Sequence, residues 1–281
     1  LVEIEKRAQP RDFLCLIAGS CQQSLAQHFD KRMLSVEYGV GYRGVFSGYR
    51  VFESYAHMHR ILGMLAPDPD GRFYDAVIPN YFDPADFEVE PSKHEVGQYV
   101  VFLGRMIIRK GLSILQSLLQ PLEDRGLTLV CAGQGATEEG PGYLTYENNQ
   151  RINGPNLRYL GMIDFDKRRD LLARARALIA PTIYVEPFGG VAVEAQLCGC
   201  PVISTDWGAF TETVEQGATG YRCHTLREFV RAVDDVPGLD RNYIRSRALD
   251  RYSTDSVRHM YQEYFDRVYD VWGNGWGALG T

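Results

Sequence analysis

Short apolar runs alternate with amphipathic stretches through the last two thirds of the chain. Residues 99–103 (YVVFL) have no charged position, the pattern of a strand buried on both faces of a parallel sheet. After a loop over 104–111, Leu112, Leu115, Leu118, Leu119 and Leu122 fall on one face of a helix, which Gly126 ends. Residues 127–132 (LTLVCA) predict the next strand, with Gly133, Gln134 and Gly135 turning behind it. Further strands are predicted at 157–160, 178–180 and 201–205 (PVIST). Helices are predicted over 164–177, with Asp164 as N-cap, and over 191–198. Residues 136–155 are polar and glycine-rich and read as loop with some irregular helix. Short helices and turns lead to a long helix over 254–271 and a linker-like tail.

Strands alternating with helices predict a parallel sheet covered on both faces. Ligands in such sheets bind beyond the carboxyl ends of the strands. The loops at 104–111, 133–135, 181–190 and 206–212 all leave those ends, so they are expected to line one crevice.

The first part is less regular. Residues 13–18 and 34–38 read as strands, a glycine-rich loop follows at Gly39, Gly41 and Gly44, and 51–65 reads mostly as helix. Residues 76–80 (AVIPN) read as a strand ending in a turn, and 83–97 as an interdomain linker. Domains are therefore expected at 1–87 and 88–253, with a final helix and tail over 254–281.

Composition narrows the class without changing this picture. The chain has 281 residues, 45% hydrophobic and 23% charged, ordinary values for a globular protein with a sizeable core. A net charge of −6 gives no indication of nucleic-acid binding. No apolar run reaches the roughly 18 residues of a membrane span, and the first residues lack the basic-then-apolar order of a signal peptide. The six cysteines form no CxxC pair and no zinc spacing, and Cys198 and Cys200 sit in an apolar setting as buried thiols. A reducing compartment, most simply the cytoplasm, is expected. Asp68-Pro69-Asp70, a D-x-D by pattern, lies between Pro67 and Gly71 and reads as a turn.

The chemistry concentrates in Glu186-Pro187-Phe188-Gly189-Gly190-Val191-Ala192-Val193-Glu194. Gly189 and Gly190 stand at a helix start, where free N–H groups and the dipole attract anions and missing side chains allow close approach. Carboxylates accept hydrogen bonds from sugar hydroxyls. One segment thus offers grip for both a diphosphate and a sugar or ribose. Arg105 and Lys110, in the loop after the first strand of this half, would stabilise charge on a departing diphosphate, and Arg109 is a third cation there. Taken alone, the two glutamates read equally as solvated helix-end charges and the cations as surface charges. Gly133-Gln134-Gly135 lacks the third glycine of a dinucleotide fingerprint, since Glu138 stands there, and reads as a turn near the ligand. Glu212 reads as a ligand contact or as a helix-capping carboxylate.

The series GR…KG, AGxG, EPFG…E, GCPVISTD and TETV, with Ile78-Pro79-Asn80-Tyr81-Phe82-Asp83 ahead of it, resembles family 4 of the glycosyltransferases. The motifs run in order from about residue 76 to 222, half of the chain. The resemblance implies a GT-B fold: a Rossmann-like donor domain preceded by an α/β acceptor domain, with the donor between them. It implies that Arg105 and Lys110 hold the donor diphosphate, that Glu186 contacts the transferred sugar, and that Glu194 binds the ribose hydroxyls. The backbone of Phe188, Gly189 and Gly190 would help hold sugar and phosphate. Gly133 would lie near the donor, and the loop with Ile163 near the base. It further implies retention of anomeric configuration, with no cofactor and no essential metal, through front-face attack assisted by the leaving phosphate.

Two departures matter. Only about 75 residues precede the IPN segment, so the first domain reads as the second half of an acceptor domain, truncated or minimal. Many family members carry a histidine in the loop corresponding to 37–42, where this chain offers Glu37, and His57 and His59 read as helix-packing or surface residues. The resulting expectation is a nucleotide-sugar-dependent glycosyltransferase with an unidentified acceptor. A non-catalytic nucleotide-sugar or partner-binding module and a GT-B nucleotide-sugar epimerase are the alternatives.

Overall fold

A computed structural model describes residues 1–30, 32–65 and 70–270. Asp68 and Pro69 of the expected turn, and the tail from 271, lie outside the described residues. The chain packs as two units: Leu1–Tyr81 together with the terminal helix Thr254–Asp270, and Phe82–Ser253.

The first unit holds a four-stranded parallel sheet in the order β1 (Phe13–Leu16), β2 (Leu34–Val40), β3 (Tyr49–Phe52), β4 (Asp75–Val77). Three short helices accompany it, α1 (Val2–Arg7), α2 (Gln23–Phe29) and α3 (Tyr55–Leu62). Val36, Val51 and Ile78 pack against Val257, Tyr264 and Val268 of the terminal helix. Leu14 and Leu16 pack with Ala26, Phe29 and Met33.

The helix expected over 51–65 starts later, because 49–52 is a strand. Ser54 caps α3 by accepting the His57 N–H, and the chain before it is extended. What fixes the strand is a buried ion pair. Arg50 donates from Nε and Nη2 to the two Asp75 oxygens at 2.7 and 2.5 Å across β3 and β4. Glu37 has a different task from the one expected. It is fully buried and accepts from the Phe46 and Ser47 N–H groups, both at 2.8 Å, and from the Tyr42 hydroxyl at 3.2 Å. It ties down the glycine-rich loop. His57 is buried with Nε2 3.1 Å from the Tyr42 carbonyl, and burial lowers its pKa; His59 is exposed.

The second unit is built on six parallel strands. These are β5 (Tyr99–Leu103), β6 (Thr128–Ala132), β10 (Leu157–Tyr159), β11 (Leu178–Ala180), β12 (Val202–Thr205) and β13 (Gly220–Cys223), in spatial order β10-β6-β5-β11-β12-β13. Between β6 and β10 stands an antiparallel meander, β7 (Glu138–Gly140), β8 (Tyr143–Tyr146) and β9 (Gln150–Asn153). The helices are α4 (Leu112–Glu123), α5 (Phe165–Arg174), α6 (Gly190–Leu197), α7 (Phe210–Thr213), α8 (Leu226–Asp235) and α9 (Arg241–Tyr252). Alternate strand residues feed two cores. Val101, Leu103, Val130, Leu178 and Val202 meet residues of α5, α6 and α9, while Val100, Phe102, Leu129, Ile179 and Ile203 meet those of α4 and α8. Apolar burial on both faces explains the uninterrupted apolar runs.

Three expectations are corrected here. Residues 136–155, expected as loop with irregular helix, form the meander, which buries Leu144 and Ile152 completely against the α4 side. Strand β13, at the sheet edge, carries two half-buried positions of its four and has no apolar run to announce it. The segment expected as a linker packs Phe87 and Val89 into the core of the second unit. Among the described residues no helix is long and apolar enough to cross a membrane.

If the meander is part of the core, Leu144→Ala should destabilise the protein by about 2–5 kcal/mol in denaturant unfolding. A loss under about 0.5 kcal/mol, typical of a surface loop, would contradict the packing.

Candidate functional site

The loops behind β5, β6, β11 and β12 interlock through their backbones at the carboxyl edge of the sheet. The Ile183 N–H donates to the Arg109 carbonyl at 3.0 Å, and the Ala209 N–H to the Glu186 carbonyl at 3.0 Å. The Met106 N–H donates to the Gln134 carbonyl at 2.8 Å, and the Gly133 N–H to the Gly161 carbonyl at 2.8 Å. Gly111 is left-handed with φ 76°, and a Cβ there would lie 1.9 Å from the Pro181 carbonyl oxygen. At Gly133 a Cβ would lie 1.9 Å from the Gly104 oxygen. Only glycine permits either approach. The meander contributes as well, since Glu147 accepts the Ile108 N–H at 2.9 Å and steadies the loop that carries Lys110.

This interlocking brings Lys110 to Glu186. The ammonium Nζ lies 2.6 Å from Glu186 Oε2, with the two side chains 17% and 10% exposed. The second carboxylate oxygen accepts the Tyr184 hydroxyl at 2.8 Å, and Thr182 Oγ1 lies 3.4 Å from the first. Arg109 stacks its guanidinium 4.4 Å from the centre of the Tyr184 ring, and Lys110 Nζ is 5.3 Å from it. Burial, with the Glu186 charge beside it, pushes the Tyr184 phenol well above its ordinary pKa, so at neutral pH it is a hydrogen-bond donor. Arg105 is exposed, and its charge reaches the same phenol. Tyr184 was not singled out from sequence. Its signal is its place two residues before Glu186, which in an extended loop puts both on one side.

Glu186 leads into α6, whose N-cap is Gly189 at φ 76° with no side-chain cap bond. The N-cap thus offers the first-turn N–H groups of α6 no side-chain acceptor; the Ala192 N–H donates to the Gly189 carbonyl at 2.8 Å. Phe188 is buried, edge-on to Tyr252 at 5.8 Å, so it offers the site its backbone. Gly190 opens the helix.

Glu194, one turn into α6, pairs with a cation that sequence reading did not name. Arg168 Nε of α5 lies 3.3 Å from Glu194 Oε2, and the glutamate side chain is 15% exposed. Burial raises its pKa and Arg168 opposes the rise. The structure thus joins Lys110 to Glu186 and gives Glu194 a separate partner; Arg105 joins neither pair. No local spacing announces Arg168, because its place depends on how α5 lies on α6. Ile163 packs half-buried on the same core, next to the exposed Met162. Glu212 lies in the first turn of α7 and its carbonyl accepts from Arg251 at 3.0 Å. Cys198 and Cys200 are fully buried, and burial pushes their thiols to about 12 and about 11, so they are inert.

The same arrangement of strands and helices recurs in solved structures. A glycosyltransferase from Rickettsia africae superposes with a TM-score of 0.72 at 14% identity, over 98% of this chain and 80% of that one. Anabaena HepE, solved in complex with UDP-glucose, superposes with a TM-score of 0.68 at 18% identity, over 91% of this chain and 79% of that one. The fold is that of the GT-B glycosyltransferases. Residues 97–236 match the family described as Glycosyl transferases group 1, and through them the chain belongs to that family. It is 30% identical over 187 residues to a glycogen synthase of Mycobacterium tuberculosis, covering 64% of this chain and 44% of the relative. It is 33% identical over 172 residues to a phosphatidyl-myo-inositol mannosyltransferase of Mycolicibacterium smegmatis, covering 59% and 41%. The chain therefore spans less than half the length of these curated relatives.

Gly111→Ala should destabilise the protein by more than the roughly 1–2 kcal/mol of a left-handed alanine, because the new methyl also meets backbone; denaturant titration measures it. A second expectation concerns Glu194. A carboxyl whose folded pKa is raised adds stability that is present below its unfolded pKa and is lost as pH rises through the folded value. Glu194→Gln should therefore raise the melting temperature at pH 7, with the gain shrinking as pH falls toward the ordinary glutamate range. An equal or lower melting temperature at pH 7 would contradict the burial argument.

Proposed function

We propose that this chain is a retaining, metal-independent glycosyltransferase that moves a sugar from a nucleotide-diphosphate-sugar donor to an acceptor. The observation that carries the reading is the Lys110–Glu186 contact at 2.6 Å, beside the uncapped start of α6. A cation suited to a diphosphate and a carboxylate suited to sugar hydroxyls meet where free N–H groups can take further phosphate oxygens. The UDP-glucose complex of HepE, a protein of the same fold, supports a nucleotide-sugar donor. On this reading Phe82–Ser253 is the donor-binding unit and the four-stranded unit serves the acceptor.

The chemistry follows from the charges. As the bond from the anomeric carbon to the diphosphate oxygen breaks, negative charge grows on the phosphate. Lys110 moves from Glu186 onto that charge, and Arg105 adds to the field, so side-chain cations do the work a metal ion does elsewhere. Glu186 stays in place on the Tyr184 hydroxyl and orients the sugar through its hydroxyls. Gly189 and Gly190 present backbone N–H groups to sugar and phosphate, and Gly133 keeps its turn against the donor. Glu194 takes the ribose hydroxyls, and the loop with Ile163 borders the base. The leaving phosphate, on the same face as the incoming hydroxyl, accepts its proton, which retains configuration.

A binding module that transfers nothing is the alternative, since the same contacts would hold a nucleotide sugar without transfer. Calorimetry with uridine, guanosine and adenosine diphosphates tests the donor site. Lys110→Ala should weaken the tightest of them about 10-fold or more, the value of a charge-assisted contact. Unchanged affinity would remove Lys110 from the site. Release of the nucleoside diphosphate from its sugar conjugate, undiminished by EDTA, then separates transfer from binding.

A further inference from the structure

Glu194 is a carboxyl group in the wrong surroundings for its charge. Burial favours its protonated form, which accepts from a ribose hydroxyl more weakly than the carboxylate does. Arg168 stands 3.3 Å from Oε2, yet that buried oxygen has no hydrogen-bond partner. The guanidinium therefore acts as a charge on the buried inner oxygen, while the side chain's 15% exposure lies on its other atoms. Its own position is braced from the other side, 5.2 Å over the Phe165 ring.

The other charged groups on the elements packed around α6 have different roles. On α5, Arg169 pairs with Asp166 at 3.1 Å. On α9, Arg245 donates to the Leu197 carbonyl, and Arg241 to the carbonyls of Ala175 and Ala173. The turn Pro84–Phe87 brings Asp86, α7 brings Glu212, and α6 itself brings Cys198. Strands β11 and β12 bring no charged side chain. Of these groups Arg168 is the charge that acts on the Glu194 carboxyl, while the Glu194 charge helps raise the Cys198 thiol and so keeps it neutral.

We propose that Arg168 is a positioning residue for Glu194, keeping its carboxylate ionised and aimed while leaving it open to accept a ribose hydroxyl. The proposal rests on the assignment of Glu194 to the nucleotide, and it adds that Arg168 sets the lower pH limit of donor binding. A ligand that needs the ionised carboxylate loses affinity tenfold per pH unit below the Glu194 pKa. Removing Arg168 moves that limit upward, and lysine restores the charge.

The test uses the whole chain in two measurements. Carboxyl-carbon NMR of glutamate-labelled protein, with the Glu194 signal assigned by its loss in Glu194→Gln, follows the titration directly. Calorimetry with the tightest-binding of the uridine, guanosine and adenosine diphosphates runs from pH 5 to 8.5. Arg168→Gln should raise the Glu194 midpoint by about one unit or more, the effect of a lost neighbouring charge. The acid limb of the binding profile should move with it, leaving affinity at high pH near wild type, and Arg168→Lys should return most of the shift. An unmoved NMR midpoint overturns the role of Arg168. So does a loss of affinity equal at every pH, since Arg168 would then touch the nucleotide itself. If the midpoint moves but affinity follows it in neither Arg168→Gln nor Glu194→Gln, the assignment of Glu194 to the nucleotide fails, and the role in binding goes with it. Absence of binding to all three diphosphates in wild type sinks the donor reading, while the NMR titration still decides whether Arg168 controls the carboxyl.

Discussion

The site depends on how closely two loops approach at the carboxyl edge of the six-stranded sheet. The loop behind β5 passes the loop behind β11 with Gly111 so near the Pro181 carbonyl that no side chain can intervene. A backbone bond from Ile183 to Arg109 holds the same crossing. That crossing places a lysine from one loop on a glutamate from the other, 76 residues apart in sequence. Because adjacent parallel strands β5 and β11 carry the loops, their spacing is fixed by the sheet and its two apolar cores, not by the loops themselves. Rigid elements thus aim side chains that the loops alone would leave poorly oriented.

Two carboxylates on one short segment have opposite surroundings. Glu186 is surrounded by donors: an ammonium, a phenol and a threonine hydroxyl. With three donors around it, the carboxylate keeps partners if one is withdrawn. Glu194 is buried with a single charge beside it and an oxygen that accepts nothing. Burial works against its charge, a perturbation that marks a candidate site.

Much of the fold was legible because burial on both faces leaves an unbroken apolar run. Strands β5, β6, β11 and β12 and helix α4 stand where the pattern put them. The misreadings share a cause. In the meander, inward leucine and isoleucine alternate with tyrosine, threonine and arginine, and the turns rest on Gly142 and on Asn148 and Asn149 at positive φ, so composition suggested loop. Strand β3 holds Arg50, a residue that reads as surface until Asp75, 25 positions on, is placed beside it. Glu37 misled in the same way, since its partners are backbone N–H groups that no side-chain pattern reveals.

The sequence by itself determined the strand–helix alternation and the loops that leave the carboxyl ends. It also supplied the candidates for gripping an anion and a hydroxyl, Lys110, Glu186, Gly189 and Glu194, because their side-chain chemistry and their place at a helix start are local features. Only the tertiary structure decided the pairings: Lys110 with Glu186, Tyr184 on the same carboxylate, and Arg168 on Glu194. Those depend on distances across neighbouring strands and between packed helices, which sequence separation does not encode.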